Sequence, residues 1–178
     1  MLVPWSPRVP LAITALVAAF KTAMTGVDVL AWDGPQVSTE SLEDVVVVGW
    51  GGFPTSSRSP SRELSEQLAQ PDVVVETVQQ GLGPSLLETM TIDCSAMSRT
   101  GGTGAAGSTQ GGPPVARARA YQLMGLAGAA ITPPNHTLGG VVMKSTMSAH
   151  GQLHQVQDRR GVLAIVTFTV ECVATSQQ

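Results

Sequence analysis

A few groups of residues in this chain could carry chemistry by their type and spacing. Gly102-Thr103-Gly104-Ala105-Ala106-Gly107 matches G-x-G-x-x-G, a pattern that lets the backbone approach a pyrophosphate at a helix N-terminus. The context argues against a cofactor. The next helix opens only after Pro113-Pro114, and no acidic residue lies between Asp93 and Asp158 to hold a ribose. His150 and His154 have the spacing of a metal pair on a helix, yet their segment alternates like a strand, where four residues span roughly 13 Å, too far for both to hold one ion. They are expected to face solvent, and His136, after Pro133-Pro134-Asn135, falls in a turn with no obvious partner. Gly107-Ser108-Thr109-Gln110-Gly111 departs from the G-x-S-x-G elbow, and Ser108 lies in a low-complexity linker instead of a strand-to-helix turn. Glu43 with Asp44 reads as a loop end before a buried strand, and Glu63 with Glu66 as the solvated side of a short helix, rather than as acid-base pairs. No catalytic residue, cofactor site or metal site is expected.

The arginines are better candidates for contacts than for catalysis. Arg117 and Arg119 open a helix, where positive charge opposes the helix dipole, so they suit either an acidic partner or a solvated face. Arg159-Arg160 sits at a hairpin tip, from which side chains can reach a neighbouring subunit, and Arg58 and Arg62 lie in a long polar loop. Arg58, Arg62, Arg159 and Arg160 are the expected assembly contacts.

These residues must be positioned by a chain of 178 residues, of which 43% are hydrophobic and only 13% charged. That length predicts a single domain with one core. So few charges mean a surface built from Ser, Thr, Gln and Gly, which repels copies of itself weakly. The net charge of -3 and the absence of a basic run longer than Arg159-Arg160 count against tight nucleic-acid binding, and 4% aromatic content leaves few platforms for base stacking. Cys94 and Cys172 each sit in a strand-like pattern and are expected as buried free thiols rather than a disulfide. Residues 11–20 are too short an apolar run to span a bilayer, which needs about 20 residues, and lack a clear cleavage site, so a cytoplasmic protein is expected.

Periodicity supplies the elements. Val9, Ile13, Leu16, Val17, Phe20 and Met24 share one helical stripe over residues 7–24, with Ser6 as cap, Pro7 in the first turn and Gly26 at the end. Strands are expected over 27–32, 45–50, 73–80 and 86–98; the second is a β-branched run that reads as covered on both faces. In the fourth, Leu86, Met90, Ile92, Cys94 and Ala96 share a face on which Glu88 is the exception. A second helix over 115–131 gathers Ala116, Ala120, Leu123, Met124, Ala127 and Ile131, and Pro133-Pro134 stops it. A closing hairpin pairs 141–157 with 162–174 and turns Val162, Ala164, Val166, Phe168, Val170 and Cys172 inward. Residues 51–72, with a possible short helix at 62–70, form either a functional loop or a partly disordered one, and 100–114 a mobile connection. The predicted fold is α+β, a mainly antiparallel sheet with two principal helices packed on one face.

The first helix followed by Val27-Asp-Val-Leu-Ala-Trp-Asp-Gly-Pro-Gln-Val, and then Asp44-Val-Val-Val-Val-Gly-Trp-Gly-Gly, resembles the opening of tail terminator proteins from long-tailed bacteriophages, especially those infecting actinobacteria. The ending, Arg159-Arg-Gly-Val-Leu-Ala-Ile-Val-Thr-Phe-Thr-Val-Glu-Cys-Val-Ala, is similar to the last hairpin of that family. The resemblance covers nearly the whole chain in element order. It implies a structural virion protein, assembled in the host cytoplasm, that forms a hexameric ring on the head-proximal end of the tail tube. Such a ring stops tube polymerisation and presents a head-tail joining surface. The implied partners are copies of the chain, the major tail tube protein, and head-completion or connector proteins, with DNA passing through without specific binding and no membrane involved.

The alternatives are another neck component, such as a head-closure or tail-completion protein, and, from a different class, a small hydrolase or nucleotide-binding domain whose site is not local in sequence. Position in the assembled particle separates the first, and saturable turnover the second.

Overall fold

In the computed structural model the described residues are 8–34, 44–51, 73–79, 85–101, 112–158 and 161–177. Helix α1 spans Val9–Ala23. Pro10 fits its first turn, where an N–H would have no helical acceptor. The buried stripe is Ala12, Leu16, Phe20 and, just past the end, Met24, a strict four-residue spacing. Val9, Ile13 and Val17 pack at its margin. On the exposed side, Thr14 and Thr22 satisfy their hydroxyls on the carbonyls of Pro10 and Ala18. The expected cap is displaced: the N-cap residue is Arg8, with no side-chain cap, while Ser6 and Pro7 lie outside the described residues. Gly26 follows the helix at φ 86, a conformation that favours glycine.

Among the described residues six strands form one sheet: β1 (Leu30–Asp33), β2 (Asp44–Val48), β3 (Val73–Gln79), β4 (Ser85–Thr100), β5 (Lys144–Asp158) and β6 (Gly161–Gln177). The order is β1-β2-β4-β6-β5, and every pairing is antiparallel except β1 with β2. Strand β4 is long enough to hold two neighbours on one edge, β2 opposite residues 94–98 and β3 opposite 86–92. Between them, the N–H of Trp50 donates to the carbonyl of Asp93.

Helix α2 (Pro113–Ala130) starts two residues before the expected point, because Pro113 is tolerated at the first helical position after the extended Gly112. Its buried side is mostly alanine, with Ala116, Ala120, Ala127 and Ala130 beside Leu123, so the helix axis lies close on the sheet. A 3-10 segment, Asn135–Gly140, takes the chain into β5, which begins three residues later than the pattern suggests.

The fold is α+β, with both helices on one face of a mainly antiparallel sheet. The core lies under them, where Met90, Ile92, Cys94 and Ala96 of β4 meet Phe168, Val170 and Cys172 of β6. Strand β2 is buried on both sides: Val46 and Val48 face the helices, and Val45 and Val47 face away. Glu88, the polar exception in β4, is fully buried, and its Oε2 accepts the backbone N–H of Arg8 at 3.0 Å. A carboxylate at the positive end of α1 satisfies a helix-start donor, which is why an acidic residue is tolerated on an apolar face.

Candidate assembly surfaces

The four arginines expected as contacts, Arg58, Arg62, Arg159 and Arg160, lie outside the described residues, as do the glycine pattern at 102–107, Ser108, Glu43, Glu63 and Glu66. The other arginine pair divides. Arg117 is exposed, whereas Arg119 finds its acidic partner within the chain, where its Nε lies 2.6 Å from Oδ2 of Asp44. The misfit against the helix dipole at Arg119 is thus offset by a tertiary ion pair within the chain.

The two histidines on β5 are separated by a bulge. Pairing with β6 is interrupted between Ser148 and Gln152, where it resumes opposite Thr167, and His154 pairs with Ile165, half-buried rather than open to solvent. His136 falls in the 3-10 segment, its Nδ1 buried with no hydrogen-bond partner among the described residues. Among those residues no cluster of three or more His, Cys, Asp or Glu is placed to hold a metal ion, and no helix is long and apolar enough to cross a membrane. Cys94 and Cys172 are buried free thiols. Burial pushes Cys172 up to about 12, with Glu171 adding to the shift, and raises Cys94 further. Thiols held in the protonated form are packing groups, not nucleophiles.

Among the described residues three strands have a neighbour on one side only, β1 beside β2, β3 beside β4 and β5 beside β6, and the last two edges differ in character. At one flank β5 pairs, among the described residues, only with β6, and residues 145–157 include no Lys, Arg, Asp, Glu or Pro, the residues that usually blunt an edge. Beside this edge, an apolar groove of about 680 Å³ runs between α2 and β5, lined by Gly125, Gly128, Ile131, His136, Met143 and Met147 among others. Gly128 leaves room beside it: a Cβ there would stand 2.8 Å from Cε of Met147, so the glycine lets the flexible end of the methionine lie against the helix. At the other flank β3 pairs, among the described residues, only with β4 and exposes Val74, Val75 and Val78, the last at 60%. Half-exposed valines on a strand with a free edge are a poor solvent surface and a good pairing surface.

No family model matches the chain, and no curated protein matches its sequence.

Alternation shows which face of a strand is apolar but not whether the strand lies at an edge, so these flanks are not legible from the residue pattern. One signal was present. Lys144 and Glu76 are each a lone charge in an otherwise uncharged strand start or centre, a placement that suits a surface kept polar at one point only.

Proposed function

We propose that this chain is a structural subunit of a long-tailed bacteriophage, forming a ring that caps the head-proximal end of the tail tube. The ring ends tube polymerisation and provides the surface for head-tail joining. The resemblance of the opening and closing segments to tail terminators motivates the reading. The observation that carries it furthest is that β3 and β5, two edges of unlike character, lie at opposite flanks of the sheet with no further strand beside them among the described residues. A ring of identical subunits needs a heterologous interface, two different surfaces that fit each other, and β3 and β5 offer one on each flank. The charge-poor surface and net charge of -3 suit a ring through which DNA passes without being gripped.

The test is the mass of the purified protein alone and after mixing with tail tubes, followed by imaging of the tube ends. A cap of about six copies at one end is the expected result, in keeping with closed cyclic symmetry. A monomer that ignores tubes overturns the reading and favours a component on the head side of the neck. Reversing the charge of Arg159 and Arg160 together is expected to weaken assembly on tubes without unfolding the subunit; unchanged assembly removes those two residues from the contact.

A further inference from the structure

The sheet register places one charged residue of β3 and one of β5, each strand with a neighbour on one side only among the described residues, in the same transverse row. Glu76 on β3 is opposite Thr89, Thr89 is opposite Val173, and Val173 is opposite Lys144 on β5. All four side chains point away from the helices, because the next row, Val75, Met90, Cys172 and Ser145, points toward them. Glu76 and Lys144 are both exposed, and neither makes an ion pair among the described residues. Strand direction alternates across β3, β4, β6 and β5, so β3 and β5 run in opposite senses. A second copy set flank to flank would therefore add its β3 to β5 as an antiparallel neighbour, without turning over.

We infer that β3 of one copy pairs with residues 144–147 of β5 in the next, continuing the sheet from subunit to subunit. This deepens the ring reading and rests on it. Keeping the rows aligned sets Glu76 beside Lys144, Val75 beside Ser145, Val74 beside Thr146 and Val73 beside Met147. Alternation along β3 then divides its side chains correctly for both sides of the interface. Val73 and Val75 turn toward the helices and enter the apolar groove between Gly125, Gly128 and Met147. Glu76 turns to the other face, where Lys144 is the cation at the same height. The bulge after Ser148 ends the pairing, which limits it to the stretch beside the groove. Aligned rows also mean no axial step between copies, the condition for a closed ring instead of a helical filament.

The experiment uses the full chain at high concentration, with two exposed cysteines introduced separately, Val74→Cys and Thr146→Cys. The native thiols are buried and do not compete. Under oxidation the mixture of the two variants is expected to give an inter-chain disulfide that neither variant gives alone. The second measurement is the concentration for half-assembly. Glu76→Lys and Lys144→Glu are each expected to raise it about tenfold, since an attraction becomes a repulsion at every interface, and the double exchange in one chain to restore it. Disulfides within each single variant, or single reversals that leave assembly unchanged, overturn the pairing. If those results come with wild-type protein that still forms a ring by mass, the edge assignment falls and the ring reading stands. If the wild-type chain stays monomeric alone and with tail tubes, both fall.

Discussion

Arg119 on α2 bridges to Asp44 at the start of β2, Nε to Oδ2 at 2.6 Å, while its Nη1 donates to Oε1 of Gln122 one turn further along the helix. The contact joins two elements 75 residues apart in sequence and fixes the start of α2 over the β2 end of the sheet.

Because both side chains are mostly covered, the bridge should be worth more than an ordinary surface pair. Arg119→Ala and Asp44→Ala are each expected to lower stability by about 1–2 kcal/mol, with a coupling of about 1 kcal/mol in the double-mutant cycle. Urea denaturation of the four proteins measures it, and a coupling near zero would mean that the two side chains act independently.

Glu88 shows how an acidic residue can be accommodated on an apolar face by the start of a helix. Glu88→Gln keeps an acceptor for the Arg8 N–H and is expected to cost about 1 kcal/mol or less, whereas Glu88→Leu leaves a helix-start donor without a partner and should cost about 2–3 kcal/mol. Thermal or chemical unfolding separates the two; equal losses would show that the hydrogen bond contributes little.

The buried thiols predict a pH effect with a definite sign. Between the ordinary value of 9.0 and about 12, folded Cys172 keeps a proton that the unfolded chain releases. The native state then binds more protons, so stability is complete below pH 9 and falls above it, by at most about 1.4 kcal/mol per pH unit for each thiol. Cys172→Ala should flatten that alkaline slope. In native buffer near pH 8 a thiol reagent is expected to find neither Cys94 nor Cys172, and to find both in denaturant.

Gly161 opens β6 at φ 115, and a Cβ there would overlap the carbonyl oxygens of Thr100 and Gly101. Gly161→Ala combines a strained backbone with a clash against main chain, so a loss of about 2–4 kcal/mol is expected in an unfolding titration. A neutral result would indicate that the end of β4 can move aside.

The residue pattern was sufficient for the elements and their faces because burial imposes a period that survives in one dimension. The spacing of Leu16 and Phe20 marked a helix, the alternation from Val162 to Cys172 marked a core strand, and the valines of β2 marked a strand covered twice. Glu88 stood out in the sequence as an exception but could not be explained there, since its partner is a backbone N–H 80 residues away. For Arg119 the sequence leaves an acidic partner and a solvated face both open for the same reason, its carboxylate being distant in the chain and near only after folding. Tertiary structure alone decided the parallel pairing of β1 with β2, the sharing of one β4 edge by β2 and β3, and the placement of β5 and β3 at opposite flanks of the described sheet. Strand order depends on which loops close and which ladders form, a choice made by non-local hydrogen bonds that leave no periodic trace in the residues. The alignment of Glu76 with Lys144 belongs to that second class: each charge is visible in the sequence, but only the register of three ladders puts them in one row.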